Sequence, residues 1–216
     1  MAKHYVSNKD ETPRLFKNNL MEFLSRVHPS VPLIIYIPVI SFFVYRGIIN
    51  PTLSGLDVFM LLVWGALFWT LTEYVIHRFA FHFKTNTKIG NKILFIVHGI
   101  HHDYPRDSKR LVMPPSVSIP LAIVFYWIFR GIWGINLGEL FFAGFVFGYV
   151  CYDMIHYALH HFSMRGNRFG LWLQQHHNLH HYNDEYKGYG VSSPLWDFVF
   201  GSMDPKITKK TTKVEK

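Results

Sequence analysis

Ten of the fourteen histidines of this chain fall into four groups, and no other feature narrows its possible folds as much. The groups are His77 and His82; His98, His101 and His102; His156 and His160; and His177, His180 and His181. Their spacings read H-x4-H, H-x2-H-H, H-x3-H and H-x2-H-H. Imidazole is the commonest metal-ligating side chain, and residues three or four apart share one face of a helix. Each group can therefore aim at a single point. One such pair would carry little weight; four of them predict a metal site. Ten imidazoles exceed the roughly four to six ligands that one transition-metal ion takes, and they fit two ions with about five each. Spacing alone does not divide them.

The rest of the composition says where such a site lies. Half of the 216 residues are hydrophobic, and 20 Phe, 12 Tyr and 6 Trp exceed the needs of an ordinary water-soluble core. Four apolar runs stand out: residues 27–45, 57–76, 111–129 and 139–155. The first and third are 19 residues without a formal charge, about one bilayer crossing each. Pro32 and Pro38 predict a kink in the first, and Pro114, Pro115 and Pro120 predict a late start for the third helix. Residues 46–56 and 130–138 read as short turn regions. The opening residues are polar, which predicts no cleavable secretory signal. Residues 1–28 read as a cytoplasmic arm with a short helix lying on the membrane, 29–205 as one membrane domain, and 206–216 as a basic tail.

Four crossings place all ten clustered histidines on one side. Of 22 Lys and Arg, 20 fall on that side and only Arg46 and Arg130 on the other, so the histidine face is predicted to be cytoplasmic. The net charge of +8 is interleaved with apolar runs rather than gathered on a soluble face, which favours a membrane and argues against nucleic acid. The predicted fold is all-α and integral to the membrane: four transmembrane helices with a cytosolic helical cap that holds a histidine-rich dimetal centre.

The chemistry follows from the ligand set. The single cysteine, Cys151, excludes an intrachain disulfide and the cysteine-rich shell of an ordinary structural zinc site. An all-imidazole shell suits Fe, Zn, Cu or Ni. At a membrane surface it suits a di-iron centre that activates oxygen, with O2-dependent oxidation of an unactivated C–H bond as the expected reaction. Hydroxylation and desaturation are both compatible with the spacing. A non-redox metal-binding or transport protein is the reading from another class; against it, the histidines sit at the ends of the runs rather than through them. Glu73, four residues before His77, and Asp153, three before His156, lie where a carboxylate is expensive. Both are candidates to accept the second N–H of a metal-bound histidine. Tyr152 is a candidate for the substrate path. His161 and His176 face about 100° away from their ligand neighbours and read as spares. His4 and His28 stand apart from the groups, Asn178 and Asn183 are within reach of them, and Trp196 reads as a packing anchor.

Six segments carry a resemblance. E-Y-V-I-H-R-F-A-F-H (73–82), H-G-I-H-H (98–102), S-K-R-L-V-M-P-P (108–115), Y-D-M-I-H-Y-A-L-H-H (152–161), H-H-N-L-H-H (176–181) and G-Y-G-V-S-S-P-L-W-D-F-V-F-G (188–201) resemble the fatty acid 2-hydroxylases. These are one branch of the integral-membrane fatty acid hydroxylase and sterol desaturase superfamily. The histidine boxes are superfamily-wide, and the R-L-V-M-P-P and G-Y-G-V-S-S-P-L-W-D segments narrow the likeness to this branch. The resemblance implies that the same ten histidines are the metal ligands, and that the reaction is hydroxylation at C2 of a long or very long acyl chain, free or within a sphingolipid. It implies two metal ions, iron in the working enzyme and zinc in some purified samples, with O2 as co-substrate. The chain departs from the fungal and animal pattern by lacking a fused cytochrome b5-like domain. A separate electron donor, a cytochrome b5 or a ferredoxin, is therefore expected. The short chain favours a bacterial inner membrane, with the endoplasmic reticulum as the eukaryotic equivalent.

Overall fold

The computed structural model describes residues 5–207, so His4 and residues 208–216 of the basic tail lie outside the described residues. Among these the regular structure is helical and no strand occurs: α1 (Asn19–Leu24), α2 (Val31–Ile48), α3 (Gly55–Ile76), α4 (Lys88–Leu94), α5 (Ile100–Asp103), α6 (Pro115–His161), α7 (Arg168–Tyr182) and α8 (Leu195–Val199). Two five-residue π-helical turns, His77–Phe81 and Phe95–Gly99, continue α3 and α4. Three helical stretches, Val31–Ile48, Gly55–Phe81 and Pro115–His161, are long and apolar enough to cross a membrane. The chain divides into two compact units. One draws its described residues from Met1–Leu15, Thr72–Leu111 and Ile155–Lys216; the other consists of Phe16–Leu71 and Val112–Met154.

The second unit holds most of each apolar segment. α2 starts with Pro32 in its first turn, where a missing N–H is harmless, and carries Pro38 inside it. α6 likewise opens at Pro115, as the proline cluster predicts. Helical structure continues through all 47 residues of α6 but for Gly134, which has φ 75° and ψ −179°, a conformation open only to glycine. Ring centroids on either side of it meet: Phe125–Phe145 at 4.7 Å, Phe129–Phe141 at 5.0 Å and Trp133–Phe141 at 4.5 Å. Residues 125 and 145 would lie about 30 Å apart on a straight helix. The chain therefore reverses at Gly134, and α6 is a hairpin of two apolar helices. This corrects the expected nine-residue turn at 130–138: one glycine makes the turn, and its flanks stay helical.

Aromatic packing fills this unit. Tyr36, Trp69, Phe129, Phe141, Phe142, Phe145 and Tyr149 form a contiguous buried cluster. α3 and the second half of α6 touch backbone to backbone where Gly65 faces Phe141 and Gly144 faces Leu62, the close approach that small residues permit between membrane helices. Arg46 and Arg130, each expected alone in a loop, converge on buried Glu139, at 3.1 and 3.9 Å, with the Tyr126 hydroxyl donating to it at 3.2 Å. Ile34, Phe42, Phe59, Trp64, Trp127 and Ile132 are exposed, a surface suited to lipid rather than water. α1 is capped by Asn18, whose side-chain oxygen accepts from the Leu20 and Met21 N–H groups. It leaves Leu20 and Phe23 exposed, as suits a helix lying on a membrane.

In the first unit the arm residues are tied down. The Val6 and Ser7 N–H groups donate to Asp103 O at 2.9 and 3.1 Å, and the Thr12 hydroxyl donates to Asp107 at 2.6 Å. This strap ends one residue beyond His102, beside the histidine groups described next.

Candidate metal centre

The first unit contains all ten clustered histidines. The H-x4-H pair is the one that an α-helix handles badly, because residues five apart point about 140° from each other. The chain solves this with a π turn: the His82 N–H bonds to His77 O at 3.2 Å, an i→i+5 closure that brings the two rings together with centroids 5.1 Å apart. The other groups keep a spacing of four, His98 from within the second π turn. His98 and His102, His156 and His160, and His177 and His181 are each four apart on one helical face.

The fold divides the ten rings into two sets of five. His77, His82, His98, His102 and His180 place one nitrogen each within 4.8 Å of one another; His101, His156, His160, His177 and His181 do the same. The division is pseudo-symmetric. One pair, His77 and His82, goes entirely to the first set, and His156 with His160 entirely to the second. Each H-x2-H-H motif straddles both: its outer pair serves one set and its middle histidine the other. The sets adjoin, with the His102 and His181 rings 4.4 Å apart.

Three observations test whether a metal fits. First, the nitrogens are spaced as ligands. In the first set His98 Nε2 lies 3.1 Å from His77 Nε2 and 3.0 Å from His102 Nε2. In the second, His177 Nε2 lies 2.8 Å from His160 Nε2 and 3.1 Å from His181 Nε2, while His101 and His156 meet at 2.9 Å. Two nitrogens bound at about 2.1 Å and at right angles are about 3 Å apart. A single hydrogen on His98 or His177 cannot satisfy two such neighbours; a cation among them can. Second, the tautomers are set from outside. His77 Nδ1 and His180 Nδ1 donate to the carbonyls of Tyr189 and Lys187 at 2.6 and 2.9 Å, so in the neutral rings both Nε2 atoms carry a lone pair. His180 Nε2 and His82 Nε2 are buried without a hydrogen-bond partner among the described residues. Third, burial favours the neutral, ligating form: it holds His82 at about 4 and His102 at about 3, and burial with repulsion from neighbouring imidazoles holds His98, His101, His177, His180 and His181 well below the usual histidine value. The donor set can hold metal.

The other candidates fall differently. Glu73 is buried, but its carboxylate accepts from the Val191 and Ser192 N–H groups at 2.6 and 2.9 Å and from the Ser192 hydroxyl. The direct carboxylate–histidine bond expected of it is not formed; backbone carbonyls take that place at His77 and His180. Asp153 and Tyr152 belong to the other unit. Asp153 is fully buried, approached by the Tyr149 hydroxyl and the Met113 N–H. Tyr152 packs with its ring centroid 5.8 Å from that of Trp69. Neither spare histidine joins a set: His161 stacks on Tyr157, with centroids 4.3 Å apart, and His176 Nε2 faces Asp197 at 3.1 Å with both side chains fully buried. Asn183 donates to Asp204 at 2.6 Å. His28 bonds Ser30 at 2.8 Å on the surface, and Trp196 stacks on Phe200. Asp197 is the residue that sequence reasoning missed. Its only signal is its place in the G-Y-G-V-S-S-P-L-W-D segment.

Known proteins resemble this chain in sequence and fold. The family model described as fatty acid hydroxylase matches residues 62–202. A dihydroceramide fatty acyl 2-hydroxylase of Arabidopsis thaliana is 37% identical over 89% of this chain and 81% of its own length. The fatty acid 2-hydroxylase of Mus musculus is 37% identical over 89% of this chain. The ceramide very long chain fatty acid hydroxylase of Saccharomyces cerevisiae is 36% identical over 93% of it. This chain covers 57% and 51% of the mouse and yeast proteins. A solved structure of full-length Scs7p, in which only the hydroxylase domain is visible, superimposes with a TM-score of 0.81 at 36% identity, covering 88% of this chain and 71% of that one. With the family model spanning most of its length and these relatives above a third identity, the chain belongs to the fatty acid hydroxylases, within their fatty acid 2-hydroxylase branch.

Proposed function

We propose that this enzyme hydroxylates C2 of a long or very long acyl chain, free or linked to a sphingolipid, using O2 and two metal ions, one in each set of five histidines. The observation that carries the dimetal reading is the even division of ten imidazoles, most of them buried, with ligand spacing. The branch of the family carries the choice of C2. The reaction balances as O2, two electrons and two protons in, with one oxygen atom inserted into the C2–H bond and the other leaving as water. When bound, the ions, iron in the working enzyme, supply the oxygen-activating redox chemistry that an unactivated C–H bond requires.

The chain's own residues do the rest. The ten rings stay neutral and present lone pairs. The Tyr189 and Lys187 carbonyls fix the orientation of His77 and His180. The apolar helices solvate the acyl chain, and Tyr152 lines its path. Asp153, three residues before His156 on α6, orients that part of the helix; unchanged metal retention and turnover in Asp153→Ala would remove this role. The four apolar helical segments cross the membrane four times, with the histidine face cytoplasmic. Electrons come from a separate cytochrome b5 or ferredoxin, steered to the basic face. A turnover rate insensitive to ionic strength contradicts that steering.

The test is acyl-chain analysis of lipids from a host that makes no 2-hydroxy acids. The host expresses this chain with a donor and its reductase, beside a His98→Ala control. New 2-hydroxy acids, absent in a control that accumulates to the same level, are expected. Unsaturated chains or ring-hydroxylated products would keep the oxygenase and discard C2 hydroxylation.

A further inference from the structure

The segment that supports the first histidine set is itself gripped by two buried carboxylates. Four consecutive N–H groups are taken up: Tyr189 and Gly190 donate to Asp197 at 3.0 and 2.7 Å, and Val191 and Ser192 donate to Glu73 at 2.6 and 2.9 Å. The Tyr189–Gly190 peptide is bonded at both ends. Its N–H meets Asp197 Oδ2, and its carbonyl accepts from His77 Nδ1 at 2.6 Å. The Lys187–Gly188 peptide repeats the pattern: its carbonyl accepts from His180 Nδ1 at 2.9 Å, and its N–H donates to Ser202 O at 2.9 Å. Ser202 in turn donates its hydroxyl to Asp197 at 2.7 Å and its N–H to the Asp197 carbonyl at 2.9 Å. A carboxylate on the N–H end of a peptide polarises it and makes its carbonyl a stronger acceptor.

Two rings of the second set contrast with this. The Nδ1 atoms of His177 and His181 are buried with no hydrogen-bond partner among the described residues.

We propose that Asp197 and Glu73 are positioning residues for the first histidine set alone, acting on His77 and His180 through the 187–192 backbone, and that they make this set the tighter of two unequal metal sites. The proposal rests on the reading of the ten histidines as two metal sites. A carboxylate–peptide–imidazole chain does here what a direct carboxylate–imidazole bond does at other metal sites: it fixes the ring and raises the basicity of the ligating nitrogen.

Zinc uptake by chelator-stripped protein in detergent tests this, with each set isolated in turn. His177→Ala/His181→Ala leaves the first set, and His98→Ala/His102→Ala leaves the second. In the first-set background, Asp197→Asn and Glu73→Ala are each expected to weaken zinc about 10–100-fold, the usual effect of losing a ligand's supporting partner. Glu73→Gln, whose amide oxygen can still accept both N–H bonds, restores the affinity. In the second-set background the same changes leave zinc affinity unaltered, which also shows that the variants fold. Equal weakening in both backgrounds, or none in either, overturns the proposal while leaving two metal sites in place. A parent protein that takes up no zinc overturns the two-site reading itself, and this proposal with it.

Discussion

Replacing Gly144 with alanine drives a methyl group into the main chain of a neighbouring helix. The new Cβ would lie 2.2 Å from Leu62 O, and one at Gly65 would lie 2.2 Å from Phe141 O, whereas real Cβ contacts essentially never fall below 3.0 Å. No rotamer change relieves this, because the obstacle is backbone; the helices must part by roughly 1 Å, and interiors packed to crystal density resist that. Overpacking costs about 1–3 kcal/mol, and a main-chain obstacle places the change near the upper end. For a chain of 216 residues, 1 kcal/mol moves the midpoint by about 2–4 °C, so Gly144→Ala should melt roughly 6–12 °C below the parent. Gly131→Ala is the control. It is exposed in the same hairpin with nothing within 4 Å of its Cβ, and alanine there gains up to about 1 kcal/mol of helix propensity. The assay is far-ultraviolet circular dichroism in detergent at one fixed heating rate, since such midpoints depend on scan rate. Gly65→Ala strains the same crossing, so the double variant should fall short of the summed effects. Equal midpoints for Gly144→Ala and Gly131→Ala would refute the close helix crossing.

Three further outcomes follow from the structure. Gly134→Val should lower the midpoint by several degrees, because φ 75° with ψ −179° is closed to a β-branched residue and a strained backbone of this kind costs about 1–3 kcal/mol; an unchanged midpoint contradicts the hairpin. Glu139→Ala should destabilise by about 2 kcal/mol, since it leaves Arg46, Arg130 and the Tyr126 hydroxyl without their shared acceptor; Glu139→Gln, which keeps an acceptor, should lose less in the same melt. In metal-free protein, burial holds His82 at about 4 and His102 at about 3, against about 6.5 in the unfolded chain. Between those values the unfolded chain binds more protons than the folded one. Stability is therefore fully present above about pH 6.5 and falls as pH drops toward 4, by up to about 1.4 kcal/mol per pH unit for each such ring. A flat melting profile over that window contradicts the buried, neutral rings.

Much of this is legible in the sequence, for identifiable reasons. Apolar runs report membrane helices directly, and clustered histidines report ligands, so the helical fold and the ten rings can be read from residue type and spacing. The division of the rings cannot. Each H-x2-H-H motif sends its middle histidine to a different set from its outer pair, and only the packing of several helices decides which. The H-x4-H pair does not fit helical neighbours three or four apart; it needs a π turn, and nothing in residues 77–82 announces an i→i+5 bond. Glu73 stands out in the sequence as a buried carboxylate, but its partners do not. The groups that hold His77 and His180 are carbonyl oxygens, and every residue has one. Arg46 and Arg130 look in the sequence like the lone charges of separate loops. Their common partner, Glu139, lies 93 and 9 residues away and comes within reach only because α6 folds back at Gly134.

The central claim is that ten histidines make two metal sites rather than one large or one partial site. Anomalous difference density at the iron edge, from crystals of iron-loaded protein, tests it most directly. Two peaks per chain are expected, one among His77, His82, His98, His102 and His180 and the other among His101, His156, His160, His177 and His181. A single peak shared by both sets, or iron bound elsewhere in the chain, would contradict it.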